Sequence, residues 1–401
     1  MSTTTSVTDE RVIDLLDGDL YAGDPYPTYA WLRDKAPVYR DDANELWGIS
    51  RHADVVYVSR HPDLFCSGEG FRPKTAPDGS MISQDDPRHT RQRRLVYKGF
   101  TPKQVAGMEA HCRAVVTEIL DAVAPLGHCD FTQDIAVPLP MIVIAEMLGV
   151  KVEDRDRLQA WSDELIKGAD GKVTDDIIAQ FTDFCSYITE VIEDRRANPR
   201  DDLTSILTHA EIVDDDGERH AFTLDNLINE LLLILVGGNE TTRNVISGGM
   251  EALMANPAQR QSLVEDSSRL PVAIEEMLRW VTPIVNFQRT ATTDTEVAGV
   301  RVAAGEKLLL LYGSANRDAD VFGPTADEFD VRRDPNPHIA FGFGTHFCLG
   351  ASLARLELRV MYEELLRRLP DIELAPGASV HRTPSAFIRG INSMPVKFTP
   401  H

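Results

Sequence analysis

The stretch Phe341-Gly-Phe-Gly-Thr-His-Phe-Cys348-Leu-Gly350 decides both the fold and the chemistry of this chain. Behind it, Leu349, Leu353, Leu356 and Val360 recur at the spacing of one helical face, and Pro370 closes the run. Cys348 therefore stands at the N-terminal end of a helix. Unpaired backbone N–H groups and the positive end of the helix dipole favour a thiolate there. Gly342, Gly344 and Gly350 let the backbone run flat against a large planar ligand, where a Cβ would intrude. No second Cys or His stands at zinc spacing, so a thiolate at this position suits a single axial bond to iron. The plain alternative is a buried structural cysteine in a Gly-rich turn. A pattern this restrictive would arise by accident in roughly one of tens of thousands of chains of this length, so that alternative is set aside.

At 401 residues the chain can bury a large core without disulfides. It shows no linker, repeat or low-complexity block, so residues 1–401 read as one domain, with Gly168–Lys172 and Val213–Arg219 as surface loops. The net charge of −22 argues against nucleic-acid and anionic membrane surfaces as partners. Met1 to Arg11 shows no signal peptide, and the most apolar run, Leu231 to Val236, is far below the roughly 18 residues a membrane span requires. No transmembrane anchor is expected. Cys66, Cys112, Cys129, Cys185 and Cys348 are odd in number and widely spread, which fits a reducing cytoplasm.

Helical periodicity covers 25–36, 103–124, 138–149, 153–167, 174–196, 224–256, 257–265, 271–281 and 349–369. Strand-like runs are shorter: Val38 to Arg40, Leu46 to Ile49, Thr290 to Val297, Val302, Lys307 to Leu311, and Phe387 to Phe398. The expected fold class is mainly α with small antiparallel β-sheets. The segment 224–256 reads as one helix of roughly 50 Å, capped by Thr223 and ended by Pro257. The stretch Leu231 to Val236 is apolar all round, so the helix crosses the core. In its middle stands Gly237-Gly238-Asn239-Glu240-Thr241-Thr242. Each helical glycine costs about 1 kcal/mol against alanine, which close approach of a flat cofactor or of dioxygen would offset. The Thr241 hydroxyl can bond back to the carbonyl four residues earlier and loosen the ladder there.

With this helix and Cys348 together, the chain resembles the cytochrome P450 superfamily from about Tyr26 to its C-terminus. The runs LLLILVGGNETTR (231–243), EEMLRW-x-TP (275–283) and HIAFGFGTHFCLGASLARLEL (338–358) are especially similar to actinobacterial members. Those hydroxylate the terminal methyl of a cholesterol side chain, and close relatives oxidise methyl-branched lipids, polyketides or terpenoids. The resemblance implies haem b between the long central helix and the cysteine helix. Cys348 would be the proximal iron ligand, with Phe341 beneath the ring and Gly350 and Gly237 against it. His89, Arg93, Arg289 and His346 would meet the propionates. Glu240 and Thr241 would hold the acid–alcohol positions that deliver protons for cleavage of the O–O bond. Glu276, Arg279 and Arg333 would form a structural cluster on the proximal side.

By the same resemblance, Phe71, Met81, Ile82, Leu233, Val236, Val285, Asn286 and Phe387 would wall the substrate pocket. Only Asn286 among them is strongly polar, so a large apolar substrate is expected. O2 would be the co-substrate, with electrons from NAD(P)H through a ferredoxin and its reductase. Arg94, Arg355 and Arg359 would belong to a basic patch for that acidic donor. Two other classes stay open at this point: a peroxide-dependent haem enzyme or haem sensor, and a helical binding protein without haem.

Overall fold

The computed structural model describes residues 11–171, 173–213 and 217–401. Of the stretch read as lacking a leader, all but Arg11 lies outside the described residues, as do Lys172 and residues 214–216 of the two expected loops.

The central helix is Leu224–Ala255, with the Thr223 hydroxyl capping the Asn226 N–H at 3.2 Å. Its apolar start buries Leu227, Leu231 and Leu235 completely or nearly so, because the helix threads the core rather than lying on it. Around it pack the helices Pro138–Met147, Leu270–Val281 and Ala351–Arg368, each burying an apolar face in the same cluster. The expected helix over 103–124 is two, Pro102–Gly107 and Glu109–Val123, hinged at Met108. Besides several helices of four to six residues, two longer ones lay below the periodicity signal. One is His52–Arg60; the other is Arg88–Tyr97, which is too rich in arginine to show an apolar stripe.

The principal sheet has the order β1–β2–β5–β4–β3, with β1 Val38–Asp41, β2 Leu46–Ile49, β3 Phe65–Cys66, β4 Asn286–Ala291 and β5 Lys307–Leu311. Its pairs are antiparallel except β2 with β5, which run parallel. The sheet is therefore mixed, not purely antiparallel. Strands this distant in sequence are not joined by a hairpin, so no turn dictates their sense. The run Thr290–Val297 is not one strand: β4 starts earlier, at Asn286, and breaks before Thr295–Val297. The C-terminal run yields only Ile391–Ser393 and Pro395–Lys397, because Phe387 and Ile388 belong to a loop that bridges to Ile284. Among the described residues, no helix is long and apolar enough to cross a membrane.

Candidate active site

One face of the central helix is open. Leu233, Val236 and Thr241 are only half-buried and Gly237 is exposed, although their neighbours Leu231, Leu235 and Glu240 are buried. The two glycines serve different ends. A Cβ on Gly238 would lie 2.4 Å from Ile144 Cδ1, so this residue lets the helix approach Pro138–Met147. A Cβ on Gly237 would meet nothing within 4 Å, so the cofactor argument applies to Gly237 alone. The Thr241 hydroxyl donates to the Gly237 carbonyl at 2.7 Å, as its spacing predicts, while the helix runs unbroken through both residues.

The cysteine loop leads into helix Ala351–Arg368, which packs against the central helix. The Cys348 N–H donates to the Phe341 carbonyl at 2.8 Å, folding the loop back on itself. Gly342 and Gly344 have φ of 70° and 72°, a region that glycine tolerates best. At Gly344 a Cβ would also lie 2.4 Å from the Ser59 carbonyl, so helix His52–Arg60, not a ligand, demands this glycine. At Gly350, by contrast, a Cβ would find open space.

Helix Ala351–Arg368 begins just after, and the N–H groups of Gly350 and Ala351 reach the Cys348 sulfur. Burial nevertheless pushes the thiol above its ordinary value, against those N–H groups and the Arg93 and Arg355 guanidiniums. The helix end and the two guanidiniums favour the thiolate while burial opposes it, and iron bound to the sulfur would add to the former.

The rim of the opening is basic. His89, only 1% exposed, sits 4.2 Å from His346 between ring centroids, and neither of its ring nitrogens has a hydrogen-bond partner. Arg93 donates to the Phe347 carbonyl at 2.7 Å and Arg289 to the Gln288 carbonyl at 2.7 Å. Among the described residues, neither arginine reaches a carboxylate, in a chain with a large excess of acids. Burial, with Arg289, His89 and Arg93 alongside, pushes His346 down to about 2, so its ring is neutral. Two guanidiniums without a carboxylate, beside a buried imidazole whose Nδ1 has Asp86 at 3.6 Å, suit an anion with more than one carboxylate. Haem propionates fit that demand, and the voids at Gly237 and Gly350 fit the ring. Among the described residues, no group of three or more His, Cys, Asp or Glu could cage a metal.

Comparison with known proteins decides the matter. A sequence profile of the cytochrome P450 family matches residues 67–398. The chain is a cytochrome P450. It is 46% identical over 403 residues to a steroid C26-monooxygenase of Mycobacterium tuberculosis, covering 98% of this chain and 99% of that one. It is 39% identical to the methyl-branched lipid omega-hydroxylase of the same organism, covering 96% and 92%. Among solved structures, a Mycobacterium marinum cytochrome P450 in complex with pseudoionone superposes with TM-score 0.88 at 34% identity, covering 98% and 100%. One from Bacillus megaterium in complex with testosterone gives 0.86 at 32%, covering 95% and 99%. The protein is therefore a monooxygenase that uses haem b, O2 and electrons delivered from NAD(P)H by redox partners. The readings without haem, or with haem but without monooxygenation, fall away.

In this P450 Glu240 does not face the opening. Its carboxylate turns the other way, taking bonds from Arg243 at 2.7 Å and from the Ser162 hydroxyl at 3.3 Å. Arg243 continues to Asp163, at 3.0 Å, whose carboxylate is part-exposed. Burial raises Glu240 to about 7 despite Arg243. The acid is thus nearly half protonated at neutral pH and linked to the surface. Arg243 lies three residues beyond Glu240, a helical pair spacing that could have flagged it. Ser162 gave no such signal.

The Glu276–Arg279 pair is fully buried, bidentate, with both contacts at 2.7 Å. Arg333 reaches Glu276 at 3.2 Å, and Asn336 and the Asp330 N–H complete the carboxylate's shell at 3.0 and 2.8 Å. Arg279 spends its other donors on the carbonyls of Asn316, Ala326 and Glu328. One residue thus ties down two segments, the turn at Asn316 and the loop that carries Ala326 and Glu328.

Of the expected pocket walls, Phe71 and Phe387 stand together, their rings 6.2 Å apart, with Phe287 at 5.8 and 5.5 Å from them. Leu233 and Val236 face the open side of the helix, and Met81 and Val285 are buried, with Ile82 half-buried. Asn286 is a correction. It is fully buried behind the wall, bonded to Arg72 and to the Ala386 carbonyl, and offers no polar group to a ligand. The cations of the expected proximal patch are paired. Arg355 is bidentate to Glu275 at 2.7 Å, Arg359 is held by Glu109 at 2.8 Å and Glu363 at 3.2 Å, and Arg94 too has a partner. Counting cations along the sequence overlooked acids brought in from other helices.

Proposed function

We propose that this P450 hydroxylates the terminal methyl of a cholesterol or cholestenone side chain. The observation that carries the reading is end-to-end identity of 46% with steroid C26-monooxygenase. The aromatic and aliphatic lining supports it, and with Asn286 withdrawn from the lining the pocket is more apolar than the sequence indicated. The 39% relative keeps the end of a methyl-branched lipid as the second reading.

In this account residues 1–401 act as one unit in the cytoplasm, supplied with electrons by a ferredoxin and its reductase. Cys348 holds the iron, Phe341 shields the sulfur, and His89, Arg93, Arg289 and His346 seat the propionates. When bound, the haem supplies the activation of O2. The chain's part is to hold and move protons. The Thr241 hydroxyl, parked on the Gly237 carbonyl, can turn into the opening and present a proton there. Glu240, protonated in part near neutral pH, resupplies it after swinging away from Arg243, and Asp163 connects the route to solvent. Phe71, Met81, Ile82, Leu233, Val236, Val285 and Phe387 exclude water and steer the methyl end of the substrate towards this helix. Glu276, Arg279 and Arg333 fix the proximal scaffold.

Titration of the haem-loaded protein with cholest-4-en-3-one is expected to shift the Soret band towards high spin. A shift with methyl-branched fatty acids but none with sterones would replace the first reading by the second.

A further inference from the structure

A buried charge that the reaction does not use sits in the wall of the pocket. Arg72, which follows Phe71, is 1% exposed. Its Nε donates to the Ala169 carbonyl at 3.1 Å, Nη1 to Asn286 Oδ1, and Nη2 to the Ala386 carbonyl at 3.3 Å. The Asp170 carboxylate lies 3.8 Å away and accepts the Ala386 N–H at 3.1 Å. The guanidinium also lies 4.5 Å over the Phe387 ring. One side chain thus joins four separate segments: the loop after β3, the turn Ile166–Asp170, the start of β4 and the loop around Phe387.

Three of these four segments carry the aromatic wall of Phe71, Phe287 and Phe387. Just outside, Lys74 and Gly171 face each other, so that a Cβ built on Gly171 would lie 2.9 Å from Lys74 Cβ. Lys74 is exposed. Residues 71–74 are bends and turn and Ile166–Asp170 is one short 3-10 helix, and such segments open at lower free energy than packed helices or strands. The polar partners holding them are mostly neutral carbonyls and an amide around a desolvated cation. That arrangement is stable only with every partner in place.

We propose that Arg72 is the clasp of the substrate mouth: its bonds to Ala169, Asp170, Asn286 and Ala386 hold the seam between residues 71–75 and 169–171 shut, and release of the Asp170 turn opens the pocket. The proposal rests on the pocket walls assigned above, but not on the sterol, since any bulky ligand must pass the same seam. Arg72 gave no signal in the sequence, where it reads as one more surface arginine.

Two ligands of the haem iron separate gating from general loosening: imidazole, which is small, and clotrimazole, a bulky azole. In stopped-flow mixing with the haem-loaded protein, Arg72→Met should speed clotrimazole association about tenfold and Asp170→Asn somewhat less, with imidazole rates unchanged. A reversible closure complements the release. Lys74→Cys combined with Gly171→Cys sets two Cβ atoms 2.9 Å apart, about an ångström inside the roughly 3.8 Å spacing of a disulfide, so a small outward shift of the Gly171 turn closes the bridge. Oxidised, this variant should bind clotrimazole more than about tenfold more slowly and imidazole at the original rate, and a reductant should restore the first. Unchanged clotrimazole rates in both the released and the cross-linked proteins overturn the clasp. So does equal acceleration of the two azoles. The cholestenone titration fails or succeeds independently of either result.

Discussion

Glu276→Gln is expected to lower the unfolding free energy of the haem-loaded protein by about 3–5 kcal/mol, the usual cost of breaking a buried pair from one side. The carboxylate accepts from Arg279, Arg333, Asn336 and the Asp330 N–H, and both members of the main pair are fully buried. The amide keeps the shape but strands two guanidiniums without a counter-charge. Its neighbour supplies the control. Glu275 binds Arg355 and His338 at a partly exposed site, so Glu275→Gln should cost only about 1 kcal/mol. Chemical denaturation followed by tryptophan emission and by the Soret band reads both. Equal, small losses at the two positions would remove the scaffold role given to Glu276.

Thr241→Ala should cut product formation at least a hundredfold while oxygen uptake continues, the electrons leaving as hydrogen peroxide. The haem site itself should be intact, because the hydroxyl bonds only to the Gly237 carbonyl of its own helix. Glu240→Gln removes the resupply of protons and should slow turnover rather than divert it. The pH dependence follows from the same residue. Burial raises the Glu240 carboxyl to about 7, so the proton it gives is present below that pH and lost above it. Wild-type coupling, measured as product formed per NAD(P)H consumed, should therefore fall as pH rises through about 7, and Glu240→Gln should be flat in that window. Full coupling in Thr241→Ala would end the relay assignment.

The features legible in the sequence were those carried by local spacing. The cysteine loop, the capped central helix and the Glu-x-x-Arg pair each announce themselves within a few residues, and the structure builds them at those positions. Less legible was why particular residues are there. Gly344 answers to the Ser59 carbonyl and Gly238 to Ile144, contacts made by helices far away in the chain. The direction of Glu240 depends on Ser162 and Arg243, one of them on a different helix. Arg355 and Arg359 look like free cations until Glu275 and Glu109 arrive from other segments. Asn286 looked like the one polar group of the pocket because its partner, Arg72, comes from a loop more than two hundred residues earlier. Pairing of this kind is a property of tertiary structure, and no local pattern encodes it.

The claim beneath all of this is that Cys348, alone among the protein's side chains, binds iron as a thiolate. The spectrum of the reduced carbonyl complex tests it most directly, on the wild-type protein beside Cys348→Ser. The wild type should show the strongly red-shifted Soret band of a thiolate-bound haem, and the serine variant should have lost it. A serine variant that keeps the band, or a wild type that never shows it, would contradict the assignment of Cys348.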